Sequence, residues 1–208
     1  MCFDVTKSIA EAFGGAVGGG LVVVLVQALS SRWRDPRVII EIQNEPPYVV
    51  DTDVVVQYGD VANGLPSSKV SIARYIRVLV RNSGISTAKQ CRVYVTKLER
   101  EDLDGTAITI IRDEAIPLPW SFGGDGESTV LNISRKFARH CDVVAASDLF
   151  PGGLAFQMQP MPSRVPAKCV PGKYRVTISV TGDNFDPTSK TFRIEYQGSD
   201  HLGLHVIS

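Results

Sequence analysis

The sequence lacks the surplus of positive charge that a nucleic-acid binder needs. Its 22 Lys and Arg stand against 22 Asp and Glu, a formal net charge of zero. A generic polyanion binder is thereby excluded, because phosphate recognition draws on excess Lys and Arg. Four cysteines in 208 residues are too few for a disulfide scaffold. Charged residues make up only 21% and hydrophobic ones 44%, which excludes a disordered chain. Internal repeats and low-complexity tracts are absent. What remains is enough apolar material for one ordinary domain plus something small, or for two very small domains.

The small element comes first. From Ala12 to Leu29 there is no charged residue, and only Gln27 is strongly polar. As a helix these 18 residues span ~27 Å, close to the roughly 30 Å hydrocarbon core of a bilayer. Neighbouring residues extend the span, and Trp33 suits the water interface. The glycines do not oppose a helix in lipid, where unpaired backbone groups are too costly. The reading is a retained single-pass helix over 12–31. A cleaved signal peptide, with Ala28-Leu29-Ser30 as the cleavage site, is the main alternative, and a soluble helix another. Gly14 and Gly18, like Gly15 and Gly19, lie four apart on one helix face, the spacing at which two membrane helices pack closely.

Flanking charge orients the helix. Lys7 stands alone on the amino side, whereas Arg32, Arg34 and Arg37 follow the helix. Positive residues stay in the cytoplasm, so the main domain is expected there, at the inner (plasma) membrane. An odd set of cysteines in that domain, Cys91, Cys141 and Cys169, fits free thiols in a reducing compartment.

The domain organisation read from the sequence is a short segment 1–11, the membrane helix, a basic linker 32–36, a β-domain 37–200 and a tail 201–208. Period-two alternation marks strands at Arg37–Ile42, Val54–Gln57, Tyr75–Arg81, Cys91–Val95, Thr106–Arg112, Leu118–Phe122, Ser128–Ile133, Asp142–Ala146, Leu154–Gln159, Tyr174–Thr181 and Phe192–Tyr196. Asp60–Ser68 reads as a loop and Glu99–Gly105 as a charged turn. No window shows a convincing amphipathic helix, so the fold class is an all-β antiparallel sandwich. Tyr174, Val176, Ile178 and Val180 form one buried face, with Ile76, Val78 and Val80 opposite them across the core. Arg175 points to water.

No constellation spells chemistry. His201 and His205 lack a third metal ligand. His140 and Cys141 are adjacent on a strand and face opposite ways. Glu99, Glu101, Asp102 and Asp104 read as a solvated hairpin tip, and Gly123–Gly126 lacks the lysine of a phosphate loop. Neither a catalytic set nor a metal or cofactor site is expected.

Tyr75 to Gly84, followed by Ala88 and Cys91 to Val95, resembles the V-x-N-x-G-x-x-x-A hairpin of bacterial adhesion-type immunoglobulin-like domains. Val170 to Ile178 is similar to the penultimate strand of immunoglobulin-like and fibronectin type III-like sandwiches, with Tyr174 in the place of their corner tyrosine. The Cys–Trp–Cys spacing of antibody domains is missing. The resemblance implies an immunoglobulin-like fold and leaves function open. The expectation is a non-enzymatic module that meets the lipid bilayer through 12–31, self-associates through its glycines and binds an unidentified protein partner, not nucleic acid. The alternatives are an exported envelope module, periplasmic or secreted, and an enzyme on a β-scaffold.

Overall fold

The structure is a computed structural model that describes residues 35–59, 66–102, 105–121, 129–150, 153–166, 169–198 and 203–207, with the backbone alone at 56–59 and 66–69. The segment 12–31, including Gly14, Gly15, Gly18 and Gly19, lies outside the described residues, as do Arg32 and Arg34. Among those described, no helix is long and apolar enough to cross a membrane.

The described chain is all-β. Its strands are β1 (Val38–Glu41), β2 (Val49–Gly59), β3 (Pro66–Asn82), β4 (Ala88–Glu101), β5 (Ala107–Leu118), β6 (Leu131–Ile133), β7 (Ala138–Ala146), β8 (Leu154–Phe156), β9 (Gly172–Thr181), β10 (Thr188–Tyr196) and β11 (Leu204–Ile207). One sheet is ordered β1-β3-β7-β8, with β2 also on β3; the other is ordered β11-β10-β9-β4-β5, with β6 also on β4. All pairings are antiparallel. The result is a sandwich-like pair of sheets around one core.

Alternation builds that core. Along β9, Tyr174, Val176, Ile178 and Val180 are buried while the residues between them are not. From the first sheet, Ile76, Val78 and Val80 join the same cluster. Each such burial is worth roughly 1.5–3 kcal/mol. In β4 the alternation breaks. Val95 pairs with Ile178 but Lys97 with Thr177, so Thr96 is an extra residue. This bulge turns Leu98 inward and keeps Lys97 off the core side, where strict alternation would bury a lysine.

Several elements differ from the sequence reading. Glu99 and Glu101 belong to β4, because their partners Arg175 and Lys173 stand opposite in β9. A charged run that looks like a turn is here the outer face of a strand. Leu118 ends β5, and Trp120 makes only a bridge to Cys141, so 118–121 is not a separate strand, and Phe122 lies outside the described residues. Pro66, Ser67 and Ser68, which read as part of a loop, begin β3, which is paired with β2 from Pro66 to Ile76; residues 60–65 lie outside the described residues. The end of the chain contributes β11, whose four residues pair with β10.

Three features fix the shape of the first sheet. β7 takes one side of β3 from Arg74 onward, so β1 and β2 lie end to end along its other side. Beyond Ala73, β2 and β3 continue as a two-stranded ribbon, Thr52–Gly59 against Pro66–Ala73, with Val55 and Val70 exposed. At the opposite end of β3, Asn82 closes the sheet. Its side chain accepts hydrogen bonds from the N–H groups of Arg37 (3.2 Å) and Gly84 (3.0 Å). It donates to the carbonyls of Ser86 (2.7 Å) and Ile133 (2.9 Å).

Candidate functional site

Two polar clusters and one cleft compete for a functional role. The first cluster lies on the outer side of the first sheet. Arg77 on β3 and Asp142 on β7 stand opposite each other in the ladder, and Arg77 Nε donates to Asp142 Oδ1 at 2.6 Å. Ser121 Oγ donates to the same oxygen at 2.7 Å. Two residues before Asp142, and therefore on the same face, His140 meets the Tyr48 ring edge-on at 6.4 Å between centroids. Tyr48 in turn donates to Glu41, which also receives the Arg81 guanidinium.

Serine, histidine and aspartate thus share one surface, but their wiring is not that of a nucleophile. The serine proton is directed at a carboxylate already neutralised by arginine, whereas nucleophile activation needs a base on the hydroxyl. His140 Nε2 is buried without a hydrogen-bond partner. Burial pushes the His140 pKa below its usual value, the Arg77 guanidinium acts in the same direction, and Asp142 opposes them. The imidazole is therefore a neutral packing group at pH 7. Its consequence is a pH dependence. The unfolded chain binds a proton near pH 6.5 that the folded chain resists, so this contribution to stability is complete above that pH and lost as the pH falls below it. Urea unfolding should show midpoints falling from pH 7 to pH 5, and His140→Gln should flatten that slope.

The second cluster lies on the outer face of the other sheet. Lys97 Nζ is 2.8 Å from Glu99, and Arg175 reaches Glu99 at 3.7 Å and Glu101 at 3.1 Å. Arg193 reaches Glu101 at 3.4 Å. Glu99 is only 6% exposed, and its Oε2 has no hydrogen-bond partner. Arg175 therefore does not simply point to water, as its place in the alternation suggests; it bonds to Glu101 and is the second cation, after Lys97, beside the buried Glu99 carboxylate. The hydroxyl chain Thr96–Ser179–Ser189 continues this face.

This geometry changes what substitutions on β9 should do. Tyr174 donates its hydroxyl to the Val170 carbonyl at 2.6 Å, and burial pushes its pKa far up. Tyr174→Phe should cost about 1–2 kcal/mol. Arg175→Ala should cost a comparable amount, since it leaves Glu99 buried with Lys97 as its remaining cation. Urea unfolding of the two variants side by side checks both.

The cleft, of about 600 Å³, lies where β1 runs on past β10 and β11, with Ile42, Asn44, Arg193, Val206 and Ile207 in its wall. Asn44 Oδ1 accepts from Val206 N–H at 2.9 Å and so occupies a donor on the free edge of β11.

The remaining sequence candidates are dispersed. His205 lies in β11, and His201 is outside the described residues. Cys91, Cys141 and Cys169 are buried free thiols. Burial raises all three, Cys91 to about 11 and Cys141 well above the usual range. Among the described residues no group of three or more His, Cys, Asp or Glu side chains could hold a metal ion. Arg37 is exposed, and its carbonyl accepts from Ser83. Sequence reasoning missed Asn82 as a keystone and Arg77–Asp142 as a pair. A signal existed for the first, the asparagine within Val80-Arg81-Asn82-Ser83-Gly84.

Comparison of the chain with protein-family models, curated proteins and solved structures returned no match. The class that the fold itself defines is an all-β protein of two antiparallel sheets.

Proposed function

We propose that the protein is a single-pass, membrane-anchored, non-enzymatic interaction module of immunoglobulin-like type, held at the cytoplasmic face of the membrane. The observation that carries the reading is the uncharged run Ala12–Leu29 followed by Arg32, Arg34 and Arg37 immediately before the first strand. Anchoring confines the domain near the bilayer and raises its effective concentration towards partners there.

The immunoglobulin-like assignment rests on strand order and on one tyrosine. The path β1-β3-β7 and the path β10-β9-β4-β5 correspond to A-B-E and G-F-C-C′. Tyr174, the third residue of the F-like strand, bonds to backbone four residues upstream, as a corner tyrosine does. One departure stands out. β8 flanks β7 where strand D belongs, but it follows β7 in the chain instead of preceding it.

Two measurements test the topology. A reporter fused after Ser208 should be active in the cytoplasm. The native cysteines of the domain are buried, so an impermeant thiol reagent needs an exposed position such as Asp186→Cys, in a chain whose amino-terminal thiol is removed by Cys2→Ser. Intact cells should leave that cysteine unlabelled and lysed cells should not. Labelling in intact cells would overturn the orientation and favour the exported module. For the glycine seam, Gly18→Ile should weaken self-association in a membrane two-hybrid assay while Val23→Ile does not.

A further inference from the structure

The Ser134–Phe137 turn, with Arg139 at the start of β7, is the most exposed apolar and basic feature at the end of the sandwich where the chain enters. Phe137 is 65% exposed, more than any other large hydrophobic residue among those described. It is flanked by Arg135, Lys136 and Arg139, all exposed. None of the three is in an ion pair among the described residues.

The turn is held rigidly. Phe137 N–H bonds to the Ser134 carbonyl at 3.1 Å, and Lys136, at φ 63°, donates to the Asn82 carbonyl at 2.9 Å. Asn82 N–H returns a bond to the Phe137 carbonyl at 3.0 Å, while its side chain accepts from Arg37 N–H. One residue thus ties the turn to the chain just after the basic linker. Ile85, 55% exposed, lies one residue beyond Gly84, where an added Cβ would be 2.4 Å from Arg37 N. Exposed Asp35 precedes Arg37 at this end, and Asp183, whose N–H bonds to the Lys89 carbonyl, and Asp186 lie in the β9–β10 connection; residues 134–139 carry no acid.

We infer that this turn is a second membrane contact: Phe137 enters the interfacial layer, and Arg135, Lys136 and Arg139 bind the anionic headgroups around it. The inference rests on the anchored reading above. From the end of the span at residue 31, the linker 32–36 reaches at most roughly 17 Å at ~3.4 Å per residue, so this end of the sandwich cannot leave the membrane surface. A rigid aromatic between cations is what such a surface accepts, the ring at headgroup depth and the charges on anionic lipid. The cytoplasmic leaflet, where the flanking arginines place the domain, is the anionic one. The two contacts together would fix the domain's tilt. The tip of the β2–β3 ribbon, at the other end of a strand of 17 residues, then lies ~55 Å away at about 3.3 Å per residue.

The test uses the full chain with Cys2→Ser, reconstituted in vesicles of phosphatidylcholine with phosphatidylglycerol. Spin labels are placed singly at Phe137→Cys, at Val55→Cys on the ribbon and at Leu21→Cys in the span. The label at 137 should prefer oxygen over a water-soluble nickel relaxant severalfold more than the label at 55. It should become water-like on phosphatidylcholine alone, or when Arg135, Lys136 and Arg139 are changed to Gln. A water-like label at 137 on anionic vesicles, with the label at 21 still in lipid, would overturn the inference and leave the anchor standing. A water-like label at 21 would overturn the anchored reading itself.

Discussion

Asn82→Ala should be among the most damaging single substitutions in the domain, with a cost of roughly 4 kcal/mol or more in urea unfolding. Asn82 is fully buried and makes four side-chain hydrogen bonds. They join residues just before β1, the β3–β4 connection and β6. Truncation removes this partner from two N–H groups and two carbonyls; the bonds to Gly84 N–H and the Ile133 carbonyl are buried, and each buried orphan costs about 1–3 kcal/mol, with the two part-buried bonds adding to that. Against a total stability of about 5–15 kcal/mol, the loss is enough to unfold a marginal domain. Asn82→Asp is the discriminating control. It keeps an acceptor for Arg37 and Gly84 but aims a second oxygen at the carbonyls of Ser86 and Ile133. If only the size of the residue mattered, Asp would be tolerated; if the amide donors matter, Asp should be at least as harmful as Ala. Near-native stability of either variant would mean that this network does not hold the sheet end together.

The periodic parts of this fold were legible and the paired parts were not. Ile76, Val78 and Val80, like Tyr174 to Val180, sit in strict alternation, and alternation alone states which side is buried. Glu99 and Arg175 illustrate the opposite case. Each looks like a solvated charge, and only the register that brings β4 beside β9 reveals that one shields the other. The ribbon was hidden for a similar reason. Ser67, Ser68 and Lys69 have a loop-like composition, and what makes them a strand is the β2 ladder opposite. The bulge at Thr96 could not be read from β4 at all, because it is a mismatch between two strands. For the clusters, composition showed which side chains were present, not that their charges are matched.

Arg77 and Asp142 supply the second large effect. Arg77 is 8% exposed as a whole residue. Its guanidinium lies 5.5 Å from the centre of the Tyr75 ring and bonds to Asp142. Removing one member of such a pair leaves the other charge in a poorly solvated site, at a cost of about 3–5 kcal/mol. Asp142→Ala should fall in that range, because it also releases the Ser121 hydroxyl and with it the bridge segment that packs Trp120 against β7. Ser121→Ala, which removes a hydroxyl and leaves the ion pair, should cost about 1 kcal/mol. The instructive variant is the double replacement Arg77→Met with Asp142→Leu. If the pair serves stability alone, apolar side chains of similar size should restore most of the loss. A double variant as unstable as Asp142→Ala would show that the ladder position demands charge, and that Tyr75, Ser121 and His140 are arranged around it. Chemical denaturation of the three variants and the parent, at one pH above 7 so that His140 stays neutral throughout, separates these outcomes.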